Sequence, residues 1–250
     1  MEFTKQVAFI TGGSRGIGRA IAVRLAQAGA DIAINYLRNR TAAEETASAI
    51  EEAGSKCLLL KGNVAETEKI PEMFAEIEKE YGRLDILISN AASGVIKPAM
   101  DLTHRHWEWT LEINAGAFLP LAQNAARLMV EAGGKIVAVS SLGAVRAIPQ
   151  YAAVGASKAA LESLVRHLAV ELAPKGINVN ALSAGIVDTD ALSHFPHRNE
   201  LLDNSLLRTP AGRLVTPEDV ADVALFLCSP MAKMIHGQTV VVDGGYSIIA

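Results

Sequence analysis

The sequence predicts an α/β fold built on one doubly wound parallel sheet, and three observations carry that expectation. Short, near-continuous apolar runs alternate with helix-length segments from one end of the chain to the other, the pattern of parallel strands covered on both faces. Glycines stand where those helical segments should end, and a glycine-rich turn follows the first apolar run directly. At 250 residues the chain suffices for one domain with a sizeable core, and no Pro- or Ser-rich linker or internal repeat divides it. One domain over 1–250, with a sheet of about seven strands and helices on both faces, is therefore expected.

The strand candidates in order are QVAFIT (6–11), DIAINY (31–36), KCLLLKG (56–62), LDILISN (84–90), KIVAVSS (135–141), INVNALS (177–183) and QTVVVDG (238–244). Helical segments between them include Ile17 to Ala28, Thr41 to Ala53, Glu68 to Tyr81 and Tyr151 to Ala173, with Gly29, Gly54, Gly82 and Gly133 as expected C-caps. The irregular stretch Asp188 to Pro210, polar and containing Phe195 and Pro196, follows the sixth strand. A segment of that length beyond a strand's C-terminal end is where a substrate lid sits.

Composition excludes several classes. Half the residues are hydrophobic, 20% are charged and the formal net charge is −4, so there is no global basic field for nucleic acid or anionic membrane. The start, MEFTKQVAFITGG, lacks a signal-peptide pattern, and no apolar stretch approaches the ~20 residues of a membrane helix. Cys57 and Cys228 form no motif and read as buried filler, which makes a reducing cytoplasm the expected compartment. His104, His106, His194 and His197 lack partners at metal-ligand spacing, and no metal is assigned.

The turn after the first strand reads Thr11-Gly12-Gly13-Ser14-Arg15-Gly16-Ile17-Gly18 and opens the first helix. Glycines permit the tight turn and a close backbone approach, and a helix N-terminus stabilises a pyrophosphate through its N–H groups and dipole. Strand before and helix after make this a Rossmann-like dinucleotide site. At the end of the second strand an NAD site would offer a carboxylate to the adenosine ribose. Here the residues are Asn35-Tyr36-Leu37-Arg38-Asn39-Arg40, with no acid. Arg15 and Arg38 suit a 2′-phosphate instead, so the expected cofactor is NADPH, with Tyr36, Leu37 and Arg38 in the site. Asn63 and Val64, after the third strand, are placed to flank adenine; Asn90 and Ala91 end the fourth strand near the point where strand order reverses.

Taken together, these pieces resemble the short-chain dehydrogenase/reductase family over essentially the whole chain. The matching residues are the glycine motif, Ser89-Asn90-Ala91-Ala92, Asn114, Ser140-Ser141-Leu142-Gly143 and the C-terminal GQTVVVDGG. The resemblance implies a catalytic serine at Ser141, a lysine at Lys158, a structural asparagine at Asn114 and a cofactor contact at Ile186. It also marks departures: the family's Asn-Asn-Ala-Gly is SNAA, its Pro-Gly after strand six is Ala184-Gly185, and its tyrosine, four residues before the lysine, falls on Val154. The tyrosine present is Tyr151, seven residues before Lys158. That spacing is similar to enoyl-acyl-carrier-protein reductases, and SNAASGVIKPAM, HWEWTLEINA, VSSLGAVR, DTDALSHFPHR and TPAGR look like the bacterial, NADPH-dependent type III of that group.

The spacing suits the chemistry so implied. Positions seven apart share a helix face as positions four apart do, but differ in axial reach, about 10.5 Å against about 6 Å. A ketone's oxygen sits on the carbon that receives hydride. An enoyl thioester takes hydride at C3, while charge develops on a thioester oxygen two carbons farther away, so its donor must stand farther from the nicotinamide. In this reading Tyr151 donates to that oxygen, Lys158 anchors the nicotinamide ribose and favours the developing anion, and Asn114 holds a helix bend or a water near Lys158. Ser141, its partner tyrosine displaced, either positions substrate or caps local backbone.

Two rival readings follow. A 3-oxoacyl-acyl-carrier-protein reductase, or another short-chain alcohol dehydrogenase, requires a tyrosine at position 154; a non-catalytic NADPH-binding regulator would have lost its acid there. The expected partner is an enoyl thioester on acyl carrier protein, or a coenzyme A analogue, in fatty acid elongation. Lys97, Arg105, Arg198 and Arg208 are candidates for docking that acidic carrier. Trp107 and Trp109 either line an acyl tunnel or pack, and the C-terminal strand resembles that of family members that form homotetramers.

Overall fold

The structure is a computed structural model that describes residues 2–129, 133–189, 192 and 198–249. Seven strands form one parallel sheet: β1 (Val7–Ile10), β2 (Asp31–Tyr36), β3 (Cys57–Lys61), β4 (Ile86–Ser89), β5 (Gly134–Ser141), β6 (Ile177–Ala184) and β7 (Thr239–Val242), in the order β3-β2-β1-β4-β5-β6-β7. Every predicted strand appears: β2 with the predicted bounds, β5 and β6 one residue longer, and β1, β3, β4 and β7 trimmed at their ends. Strand order reverses between β1 and β4, and the crevice beyond the C-terminal ends of the strands at such a reversal is where α/β sheets bind ligands.

The helices fall into two layers. On one face α1 (Gly16–Gln27) packs between α2 (Arg40–Glu52) and α8 (Pro217–Cys228). On the other lie α3 (Ile70–Tyr81), α5 (Phe118–Leu128) and α6 (Ala152–Leu172). Each strand feeds both layers because its side chains alternate. In β1, Ala8 and Ile10 join the cluster under α1 and α8, whereas Val7 and Phe9 join the one under α3, α5 and α6. Phe9 meets Phe74 of α3 edge-on, ring centroids 5.4 Å apart.

Local sequence sets the helix ends. Asn39 accepts from the Ala42 amide to start α2, and Thr216 with Asp219 forms a capping box ahead of Pro217 at the start of α8. Gly82 ends α3 in the left-handed region. Gly133 departs from its expected role as a helix C-cap. Its φ of +72° lies directly ahead of β5, where an added Cβ would come within 2.6 Å of the Gly176 carbonyl oxygen. The glycine is required by the close approach of two chain segments entering β5 and β6.

The segment after α4 (His104–Leu111) winds into a π-helical turn, Glu112–Gly116, which contains Asn114. The predicted lid region contains α7 (Arg198–Arg208); Phe195, Pro196, His194 and His197 lie outside the described residues. Among the described residues, no helix is long and apolar enough to cross a membrane.

Candidate active site

The glycine turn is shaped by two positive-φ positions and two close approaches. Gly12 and Gly16 have φ of +63° and +54°, a region that favours glycine. A Cβ on Gly18 would lie 2.4 Å from the Gly12 carbonyl oxygen, so α1 can begin this close to β1 only without a side chain there. A Cβ on Gly13 would strike Ile34 at 2.7 Å. Arg15, the N-cap of α1, makes no side-chain cap bond, and no acidic residue stands in the first turn. The positive end of α1 is thus left for an outside anion, which fits a dinucleotide's pyrophosphate.

Asn90 braces this turn from β4. Its side-chain amide donates to the carbonyls of Thr11 and Gly12, at 3.0 and 3.1 Å, and the amides of Asn90 and Ala91 both donate to the Thr11 hydroxyl. Ser14 accepts through its carbonyl from Thr46 of α2, and Ile17 packs against the core beneath. Arg15, Leu37 and Arg38 are exposed at the ends of β1 and β2, and none of residues 35 to 40 is acidic. Asn63 turns its side-chain oxygen to the Ala65 amide at 3.1 Å. Tyr36 and Val64 are buried with the core, and Ile186 is half-buried just after β6.

The second group of residues converges where β5 meets α6. Tyr151 is the N-cap residue of α6, and its hydroxyl lies 3.3 Å from the Ser141 hydroxyl. Of the two roles expected for Ser141, capping of local backbone is visible in its bond to the Gly143 amide, and the displaced tyrosine still reaches it. Ser141 accepts from the Gly143 amide at 3.1 Å and also faces Tyr151, because the residue ahead of the helix swings back over the turn after β5. Two features hold the ring there. Gly143 lies flat against it, so that a Cβ would sit 2.5 Å from Tyr151 Cε1. Gln150 has φ of +62°, a strained setting for a non-glycine residue and one that aims the next side chain.

Val154, at the position where the family carries its tyrosine, is buried and packs on Gly94, whose added Cβ would come within 2.3 Å of it. No hydroxyl can act from that position. Lys158 is 5% exposed and donates from Nζ to the Val139 carbonyl at 2.7 Å. Burial pushes its ammonium down to about 8, with Glu162 opposing the fall. Burial pushes the Tyr151 phenol above its ordinary value, opposed by its bond to Ser141, so it remains a hydrogen-bond donor at neutral pH. Asn114, buried in the π turn, accepts from the Ser93 amide and donates to Ser157 Oγ, both at 2.9 Å. It ties the loop after β4 to α6.

Several functional supports were not anticipated. Asn35, 3% exposed in β2, donates to the Leu60 and Gly62 carbonyls and accepts from the Gly12 amide, fixing the turn from below; an amide inside the apolar run DIAINY was the available signal. Ser140 donates to Glu162 beneath Lys158, and an acid on the apolar stripe of α6 was the signal there. Gly143 and Gln150 carried none beyond their neighbourhood to Tyr151. Of the docking candidates, Arg198 pairs with Asp188, and Arg208 lies over the Tyr246 ring at 5.4 Å, so both tie α7 to the body. Lys97 donates its backbone amide to Gln150, and Arg105 is exposed. Trp107 and Trp109 are 40% and 41% exposed.

Comparison with known proteins agrees with this geometry. Residues 12–247 match the family model described as enoyl-(acyl carrier protein) reductase. A 1-cyclohexenylcarbonyl-CoA reductase from Streptomyces collinus is 44% identical over 98% of this chain and 88% of its own. An NAD-dependent glycerol dehydrogenase from Listeria innocua is 37% identical over 99% of this chain and 96% of its own. Among solved structures, a putative short-chain alcohol dehydrogenase from Sinorhizobium meliloti superposes with a TM-score of 0.94 at 34% identity, covering 100% of this chain and 99% of that one. A 7α-hydroxysteroid dehydrogenase solved with NADH and 7-oxo glycochenodeoxycholic acid superposes at 0.93 with 33% identity, over 98% and 95% of the two chains. With a family model matched almost from end to end and a glycine turn fitted to a nicotinamide dinucleotide, the chain belongs to the short-chain dehydrogenase/reductase family of oxidoreductases.

Proposed function

We propose that the protein is an NADPH-dependent enoyl-acyl-carrier-protein reductase, saturating the trans-2 double bond of enoyl thioesters in cytoplasmic fatty acid elongation. The observation that carries this reading is the placement of the Tyr151 phenol: it stands ahead of α6 with its hydroxyl beside Ser141, while residue 154 is a buried valine. The Streptomyces relative, named for a reductase of a cyclohexenylcarbonyl thioester, points to the same substrate class.

The dinucleotide, when bound, supplies a hydride to C3 of the substrate. Gly12 to Gly18 and the start of α1 would hold its pyrophosphate, Arg15 and Arg38 its 2′-phosphate, and Lys158 its nicotinamide ribose. Tyr151 donates a hydrogen bond to the thioester oxygen, where charge appears only as the reaction proceeds, and this selective stabilisation is the source of rate. Ser141 orients the Tyr151 hydroxyl. A proton added at C2 completes the reduction. Within the region where a lid is expected, Arg198 and Arg208 anchor α7 to the body of the protein.

Ketone reduction is the second reading. The Ser141–Tyr151 pair could hold a ketone oxygen, and the Listeria relative is named as a glycerol dehydrogenase. Oxidation of NADPH and NADH with crotonoyl and acetoacetyl thioesters separates the two. Turnover of the crotonoyl thioester with NADPH is expected; turnover of the acetoacetyl thioester alone would replace the enoyl assignment. A homotetramer is proposed as well, since β7 is an edge strand with Val241 and Ile248 exposed beside it; sedimentation tests it.

A further inference from the structure

A buried acid lies beneath the catalytic cluster with no role in the reading above. Ser140 and Glu162 are 4% and 6% exposed, and Ser140 Oγ donates to Glu162 Oε1 at 2.6 Å. Glu162 follows Lys158 by one helical turn on the buried face of α6, and Lys158 reaches the carbonyl of Val139, the residue before Ser140. Two successive residues of β5 thus engage the two charged side chains of one helix face. A carboxyl group kept among Leu161, Val165 and the sheet is costly unless it has a partner, and a leucine would fill that space at no such cost.

The surroundings of Lys158 leave Glu162 as its electrostatic partner. Tyr151 and Glu162 are the titratable groups that α6 turns toward this region. β5 and the turn after it present the Val139 carbonyl and the Ser140 and Ser141 hydroxyls, all neutral. On α4 and the π turn, His104, Arg105, Glu108 and Glu112 are exposed, and the half-buried His106 accepts from the Thr103 amide at the start of its own helix; Arg127 on α5 is exposed. Residues 177–184 of β6 include no charged side chain. Among the described residues, the charge acting on Lys158 comes from Glu162.

We propose that Glu162, oriented by Ser140, is a positioning residue that keeps the Lys158 side chain a charged ammonium directed at the dinucleotide ribose, a proposal that rests on the role given to Lys158 above. Burial already lowers the lysine to about 8 with Glu162 present. Without that carboxylate the ammonium loses its proton at still lower pH, closer to neutrality.

The test is the pH dependence of NADPH binding, read from the nucleotide's own fluorescence between pH 6 and 9.5, in the wild type, Glu162→Gln, Glu162→Asp and Ser140→Ala. In Glu162→Gln the alkaline loss of affinity moves to lower pH by about one unit, the size of effect expected when an adjacent opposite charge is removed. Ser140→Ala moves it in the same direction, and Glu162→Asp, which keeps the charge, restores the wild-type limb. An unmoved limb in Glu162→Gln, or affinity lost evenly at every pH, overturns the proposal. Should Glu162→Gln not fold, Ser140→Ala decides alone, and an unmoved limb there overturns it. Crotonoyl thioester reduction measured in parallel separates the two claims: a protein whose NADPH limb shifts as stated but which reduces no enoyl thioester retains the Glu162 role and loses the enoyl assignment.

Discussion

Gly143→Ala probes the placement of Tyr151 without touching its hydroxyl. A Cβ at position 143 would lie 2.5 Å from Tyr151 Cε1 and 2.6 Å from Cδ1, with the Gly155 backbone 3.4 Å away on the other side. The ring is thus roughly 1 Å too close for ordinary van der Waals contact and must swing away from Ser141. Gly143 does not have positive φ, so the alanine acts on the ring rather than on the backbone. Overpacking of this kind costs about 1–3 kcal/mol of stability, while a displacement of about 1 Å in a catalytic group lowers turnover on the order of 10²-fold. Steady-state kinetics with a crotonoyl thioester, NADPH affinity and a thermal melt give the three readouts. The expected pattern is a fall in kcat near a hundredfold, unchanged NADPH affinity and a modestly lowered Tm. Turnover within about threefold of wild type in a folded variant would refute the argument that the ring position matters.

Three further outcomes follow from the same geometry. Val154→Tyr places a ring against Gly94, already in contact with the smaller valine; it should cost about 1–3 kcal/mol in a urea melt and yield no acetoacetyl reduction. Arg15→Ala and Arg38→Ala should each weaken NADPH binding by about tenfold or more and leave NADH binding unchanged, as expected on losing a charge-assisted bond to phosphate; equal losses for both nucleotides would remove the 2′-phosphate assignment. Lys158 titrates near 8 in the folded chain against 10.5 for the ordinary side chain, so between those values the unfolded chain holds the extra proton. Its contribution to stability therefore rises with pH across that window, by about 3 kcal/mol in total, and Lys158→Met should flatten the urea midpoint between pH 8 and 10.

The sheet was legible because parallel strands buried on both faces write themselves as unbroken apolar runs: DIAINY begins and ends where β2 does. The cofactor turn was legible for a related reason, since Gly12, Gly16 and Gly18 stand where the backbone tolerates nothing else. Side-chain direction was not. The sequence separates Ser141 and Tyr151 by ten residues and one helix start, and their meeting depends on Gly143 making room and on the strained Gln150. Asn35 and Glu162 each look like a single polar break in an apolar pattern, and only the packing shows that one fixes the glycine turn and the other faces Ser140. Gly133 was read by its neighbour in sequence, a helix, when its neighbour in space, Gly176, decides it.

The role given to Tyr151 stands or falls on Tyr151→Phe in single turnover, with NADPH prebound and crotonoyl or acetoacetyl thioester mixed in. Removing one donor to a developing oxyanion costs about 10²–10³ in rate. A loss of that size in crotonoyl reduction, with NADPH affinity intact and acetoacetyl reduction absent in the parent, is the predicted result. Crotonoyl reduction within about threefold of the parent would contradict it, because the hydroxyl beside Ser141 would then do nothing for the reaction.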